Sequence, residues 1–178
     1  AAATDTAPTC SDIDYSTNTS DWNEVTNVSQ LQCIGANGPQ QNYVLTNDID
    51  ATGTQKWNDD GSGAEGFDPI GNFSAPFTGS FDGQGHEISN LYIDREEASY
   101  VGVFGAVEDG RIENVGVENV SISGKISVGG LVGDIDGGTV SESYATGLID
   151  ISTNQPAEYV GGLVGQNTGG TVTGSHAK

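Results

Sequence analysis

The chain has 178 residues, of which 25 are acidic and five basic, giving a formal net charge of -20; 34% are apolar, 27 are glycine and none is methionine. That balance excludes nucleic acid and anionic membrane surfaces as partners, because a phosphate surface must be met by cations. It also disfavours a thick globular core and suits a stack of thin, glycine-flanked layers.

Residues 1–20 are polar, rich in Thr, Ser and Asp, and read as irregular. The opening Ala-Ala-Ala-Thr-Asp resembles what remains after a signal peptide is removed. No apolar run is long enough to span a bilayer. Cys10 and Cys33 flank 22 residues. A single close pair in such a chain predicts a disulfide made in an oxidising compartment. Val28, Leu31 and Cys33 or Ile34 fall near helical spacing. They predict a short helix with Asn27 or Ser29 as N-cap and Gly35 as its stop. Tyr43 to Leu45 reads as a strand. Residues 51–66 read as a loop, because Asn-Asp-Asp-Gly-Ser-Gly (Asn58 to Gly63) favours turns. Phe77, Gly79 and Phe81 alternate with polar residues, a strand pattern.

A repeat follows. Ile88, Leu91 and Ile93; Ile112, Val115 and Val117; Val140, Ser143 and Ala145; and Val172, Ser175 and Ala177 share offsets of +3 and +5, at intervals of 24, 28 and 32 residues. Val-Gly-Val-Phe-Gly (Val101 to Gly105) and two copies of Val-Gly-Gly-Leu-Val-Gly (Val128 to Gly133, Val160 to Gly165) precede the last three. Gly110, Gly138 and Gly170 sit two residues before Ile112, Val140 and Val172, which predicts corners of positive φ. Strands at this period, broken by glycine corners, predict the coils of a parallel β-helix. The growing intervals predict outward loops such as Ser152 to Glu158.

The segments Val128 to Gly147 and Val160 to Ala177 resemble the GLUG motif, with Gly-Gly-Leu-Val-Gly, a Gly-Gly-Thr-Val turn and strand, and Ser-Tyr-Ala-Thr-Gly (Ser143 to Gly147). Val101 to Val117 resembles a degenerate copy, and the resemblance extends upstream to residue 43 through Phe-Asp-Pro-Ile-Gly and Phe-Thr-Gly-Ser-Phe-Asp-Gly-Gln-Gly-His. It implies an all-β, right-handed parallel β-helix over 43–178 with no shared catalytic residue. It implies proteins of the adhesin, surface-layer or filament kind. Residues 1–42 then read as an N-terminal cap holding the helix and the Cys10–Cys33 disulfide.

The acid excess predicts a surface suited to molar salt, as in a halophilic organism, with Ca²⁺ binding as the alternative. The metal candidates are Asp59, Asp60, Asp134 and Asp136, with Asp109 near the latter two. The Asn58–Gly63 run fails the full calcium-loop pattern, because Pro69 stands where the closing Glu belongs. Arg95 and Arg111 read as solvated ion pairs, and His86 as a turn residue. No nucleophilic triad is evident, so no catalytic residue is assigned and no resident cofactor is expected. Four sequons, Asn18, Asn27, Asn72 and Asn119, are glycosylation candidates of an extracellular chain.

The expected function is an extracellular structural or adhesive module of a cell-surface or filament protein. Self-association or neighbouring domains of the same protein are the expected partners, glycans are further ones, and no membrane insertion is expected. The last strand, with Thr171, Val172, Thr173 and Ser175, lies bare in this reading and forms an assembly edge for more of the protein or for another subunit. The competing reading is a secreted carbohydrate-binding or carbohydrate-active β-helix with a shallow site on Trp57. Its aromatic residues are otherwise dispersed, with Tyr144 facing outward and Tyr159 in a loop.

Overall fold

The computed structural model describes residues 5–151 and 158–178. The chain is all-β, a parallel β-helix whose coils stack four sheets. One of the two six-stranded sheets runs Asn23–Val25, Asn42–Leu45, Ser80–Asp82, Arg111–Glu113, Thr139–Ser141 and Thr171–Thr173. Most of these strands are three residues long with one inward side chain between two polar ones, as in Arg111-Ile112-Glu113 and Thr139-Val140-Ser141. Period-two alternation places the middle residue inside and its neighbours in solvent. The expected loop Ser152 to Glu158 lies almost wholly outside the described residues.

Inward residues form ladders from coil to coil. One runs Tyr43, Phe81, Ile112, Val140, Val172. A second runs Ile49, Ile88, Val117, Ala145, Ala177. A third runs Ile70, Phe104, Val132, Val164. Fully burying a valine, isoleucine or phenylalanine of these ladders contributes about 1.5–3 kcal/mol, and the ladders are what the stack gains from each coil.

The ladders correct the register of the first repeat. Ile88 stacks on Val117, not on Ile112, whose partner below is Phe81. Ile93 likewise stacks on Ile122. The +3 and +5 offsets recur at two corners of a coil, so Ile88, Leu91 and Ile93 answer to Val117, Val120 and Ile122. The steady growth of the intervals therefore disappears below Ile112.

The recurring glycines are also explained differently. Gly138 alone of the three has positive φ, at 73°. What they share, with Gly79 as a fourth, is close approach to the coil beneath. A Cβ on Gly79 would fall 1.9 Å from the Gln41 carbonyl oxygen, and one on Gly138 would fall 2.2 Å from that of Gly110. Positive φ is carried elsewhere, by columns of mostly non-glycine residues: Asn114 and Glu142; Asn90 and Asn119; Tyr100, Ser127 and Tyr159. Side chains there cost about 1 kcal/mol or more each.

The N-terminal end is closed. Val28–Gln32 (α1) is capped by Asn27, whose Oδ1 accepts from the Gln30 amide at 2.9 Å. Ile34–Asn37 (α2) follows and contains Gly35, so the helical segment ends at Gly38, not at Gly35. The buried Tyr43 hydroxyl donates to the Gly38 carbonyl at 3.0 Å and holds that end in place. Cys10 and Cys33 form the expected disulfide, with Cα atoms 5.3 Å apart. Val25, Val28, Leu31 and Ile34 join the same continuous core as the coils above, and Asn23–Val25 already pairs with the sheet.

Two further expectations change. Residues 51–66 include a 3-10 helix, Thr52–Lys56, which tucks Trp57 into the core at 0% exposure. The strand expected from Phe77 begins only at Ser80 and runs to Asp82. Phe77 and Phe81 instead pack on either side of a corner against Phe104, with ring centroids 5.0 and 5.2 Å away.

Candidate assembly edge and side faces

The last coil comprises Glu158–Gly161, Val164–Asn167, Thr171–Thr173 and His176–Ala177. Among the described residues each pairs only with the coil below. Thr171, Val172 and Thr173 lie on Thr139, Val140 and Ser141. Ser175 continues an inner serine column, its Oγ accepting from the Ser143 amide at 3.1 Å. Val172 is 39% exposed and Val160 44%, whereas Val140 and Val128, one coil down, are fully buried. The edge thus presents the groups that the next rung of each ladder covers lower in the stack: free amide and carbonyl groups around apolar side chains.

The side faces are polar and acidic. On one, the Tyr144 ring lies down across Gly116, where a Cβ would meet the ring carbon Cζ at 2.5 Å. Its hydroxyl reaches the carboxylates of Glu87 and Glu118, and the His176 ring stacks on it with centroids 5.5 Å apart. Desolvation first, then the two carboxylates, push the Tyr144 hydroxyl well above its ordinary range. This is a proton donor clamped between anions, which suits a structural tie and opposes a nucleophilic role.

A polar ladder runs beside it. Asn90 Nδ2 donates to Asp50 Oδ1 at 3.2 Å, and Asn119 Nδ2 to Asn90 Oδ1 at 2.8 Å. Such rungs satisfy the side-chain amides while their residues turn the corner.

Elsewhere on the surface a groove of about 240 Å³ is lined by Phe73, Pro76, Ala106 and Val107 together with Glu108, Asp134 and Asp136. Asp134 Oδ1 is buried without a hydrogen-bond partner. Burial, then the neighbouring Asp136 charge, raise the Asp134 carboxyl above its usual range. Asp136 stacks on Glu108, and the Asp109 amide donates to the Asp136 carbonyl. Asp59 and Asp60 lie in another loop, where Asp59 accepts from the Gly61 amide and Asp60 from the Ser62 amide and hydroxyl. The structure does not bring the two acidic pairs together, and among the described residues no three His, Cys, Asp or Glu groups are arranged to hold a metal.

Other sequence candidates settle as follows. Arg111 pairs with Glu113 on the surface. Arg95 is not solvated: its side chain is mostly buried, bonded to Glu65 at 3.0 Å, Asp68 at 3.5 Å and the Phe67 carbonyl. It staples the 65–68 segment to the stack. His86 Nδ1 lies 3.0 Å from Asp48 Oδ1 at a turn. The buried Trp57 removes the shallow sugar site expected there. Tyr159 belongs to the strand Glu158–Gly161 rather than to a loop. Sequence reading missed the Phe73–Tyr100 stack, with centroids 5.9 Å apart and planes at 22°. The two residues are far apart in sequence, and only coil geometry joins them. Among the described residues no helix is long and apolar enough to cross a membrane.

The GLUG motif matches residues 156–178. Over 134 residues the chain is 42% identical to Halomucin of Haloquadratum walsbyi, covering 71% of this chain and 1% of that protein. Over 104 residues it is 34% identical to a protein of Evansella cellulosilytica named as a Gly-rich membrane protein, covering 56% of this chain and 11% of that one. The chain thus spans a small part of the relatives it matches. In fold it is similar to a Bacteroides ovatus crystal structure named as an immunoglobulin A1 protease. The TM-score is 0.53 and the identity 16%, over 90% of this chain and 68% of that one. At that identity the likeness shows the fold alone.

Proposed function

We propose, for a chain that carries the GLUG motif on a parallel β-helix, that it is an extracellular, non-catalytic structural module of a cell-surface protein. Its last coil is the assembly edge, and the occupant is a further β-helical coil, from a neighbouring segment of the same surface protein or from a second copy. The observation that carries this reading is the register of the stack: Thr171, Val172 and Thr173 pair residue for residue on Thr139, Val140 and Ser141, so each coil is a template for another. A repeat protein gains its stability from such interfaces between neighbours. The similarity to Halomucin and to a protein named for a membrane supports the cell-surface location. The net charge of -20 supports a high-salt setting, where counter-ions screen self-repulsion. An adhesive role and filament formation belong to the same proposal.

The test is sedimentation and negative-stain microscopy in molar salt, on the chain and on its Val172→Asp variant. The expected result is concentration-dependent end-to-end association that the variant loses. Monomers at all concentrations, with amides of 171–173 as protected from exchange as those of 139–141, would mean that the edge is already satisfied and would overturn it.

A further inference from the structure

We propose that Asn72 is the glycan acceptor among the four sequons, and that the exposed Phe73 ring is the platform on which its first sugar rests. The proposal rests on the extracellular reading above.

The four carboxamides are committed differently. Asn119 is a rung of the Asp50–Asn90–Asn119 ladder: its Nδ2 donates to Asn90 at 2.8 Å and its amide donates to Thr146 Oγ1. A substituent on that nitrogen displaces the rung. Asn27 is a half-buried N-cap, with Oδ1 held by the Gln30 amide and Nδ2 donating to Thr26 Oγ1 at 3.3 Å. Asn18 is half-buried in a recess of about 250 Å³ shared with Trp22, Val44 and Asp82, and its Oδ1 accepts from the Ser20 and Trp22 amides.

Asn72 is exposed at the base of a tight turn with Phe73 and Ser74 at its tip, closed by reciprocal backbone bonds between Asn72 and Ala75 at 3.1 Å each. Its Oδ1 accepts from the amides of Ser74 and Ala75 at 2.9 and 3.0 Å. The carboxamide is therefore fixed through its oxygen, beside the residue that bears the sequon hydroxyl. Its Nδ2 makes no hydrogen bond among the described residues, so the nucleophilic atom alone is left open.

Phe73 is the second observation. It is 76% exposed, the most of any large apolar residue described. It has not collapsed onto the surface but is held by stacking on Tyr100. An aromatic face next to a free acceptor nitrogen matches the C–H face of a pyranose, and covering it removes exposed apolar area.

In the transfer, Asn72 Nδ2 attacks the anomeric carbon of an oligosaccharide carried on a lipid phosphate. The N–C bond forms as the C–O bond to phosphate breaks. The phosphate leaves with the bonding electron pair, and one Nδ2 proton passes to a base of the membrane transferase.

The test is intact-mass and glycopeptide analysis of the full chain secreted from a haloarchaeal host, with a host surface glycoprotein from the same cells as control. The expected result is a glycan on the Asn72 peptide. It is lost in Asn72→Gln and in Ser74→Ala, which keeps the asparagine, and retained in Asn119→Gln. Phe73→Ala lowers the occupancy at Asn72. Secreted chain bare at Asn72 beside a glycosylated control overturns the proposal, whatever the other sequons carry. A chain retained inside the cell overturns the extracellular reading, and this one with it.

Discussion

The two ends of the stack are built from different side chains. Going up the ladders, Tyr43 and Phe81 give way to Ile112, Val140 and Val172, while Ile70 and Phe104 give way to Val132 and Val164. The lower coils enclose Trp57, Phe67, Phe77, Phe81 and Phe104, all fully buried, under two short helices and a disulfide. The upper coils enclose valine, leucine, alanine and Ile135 between glycines, and the last leaves Val160 and Val172 partly exposed. The first coils close their own core with large rings, and the last described coil packs smaller side chains that are partly exposed.

The sharpest contrast is between a ring removed from the first coils and a valine trimmed on the last. Phe104→Ala removes the ring on which Phe77 and Phe81 converge and is expected to cost about 3–5 kcal/mol. Val172→Ala at the open edge is expected to change stability by less than about 0.5 kcal/mol. Similar losses in chemical denaturation would break the comparison. Next in size, replacing Cys10 and Cys33 with serine is expected to cost about 3 kcal/mol through the freed loop, with amide exchange rising first at 23–45. In the upper half, Gly116→Ala forces the Tyr144 ring off its seat and is expected to cost about 1–3 kcal/mol. The near-ultraviolet signal of the tyrosine should change with it.

The smallest effects concern strain and charge. Glu142 sits at φ 47° at a corner where the coil above has Gly174; Glu142→Asn is expected to stabilise by about 0.5–1 kcal/mol, read as a higher Tm. The raised Asp134 carboxyl has a sign that can be checked. A carboxyl whose folded pKa lies above its unfolded value makes the fold bind more protons than the unfolded chain, so it lowers stability as pH rises through that range. Asp134→Asn is therefore expected to raise Tm at neutral pH, with the gain vanishing below about pH 4. A gain that persists in acid would mean that packing, not charge, is responsible.

The upper coils were legible in the sequence because each repeats the same glycines and valines at a nearly fixed interval. The lower coils were not, because insertions and large residues hide the period. Ile88 matched the wrong corner, since one coil carries the +3 and +5 offsets twice. Within Phe67 to Gly71, Ile70-Gly71 repeats the apolar-glycine pair of Phe104-Gly105, Val132-Gly133 and Val164-Gly165. That pair was the available signal for an earlier rung. Of the candidate sites, the strand Thr171–Thr173 was visible as a copy of Thr139–Ser141 one interval further on. The Tyr144 tie was not, because Glu87 lies 57 residues away. Its trace was a glycine, Gly116, in a column otherwise filled by side chains. The burial of Trp57 had no trace at all, since a flexible-looking loop gives no sign that its 3-10 turn faces inward.

A pull along the stack would peel a β-helix strand by strand, each parting as its row of amide bonds to the coil below fails. Tyr144 changes the size of that step. Its ring covers Gly116 one strand down and its hydroxyl is bonded to Glu87 two strands down. Those three strands share one fastening, so they yield together. Stretched, the molecule would extend in fewer and taller steps than a stack of independent coils, and the highest resistance would lie where the tyrosine reaches across.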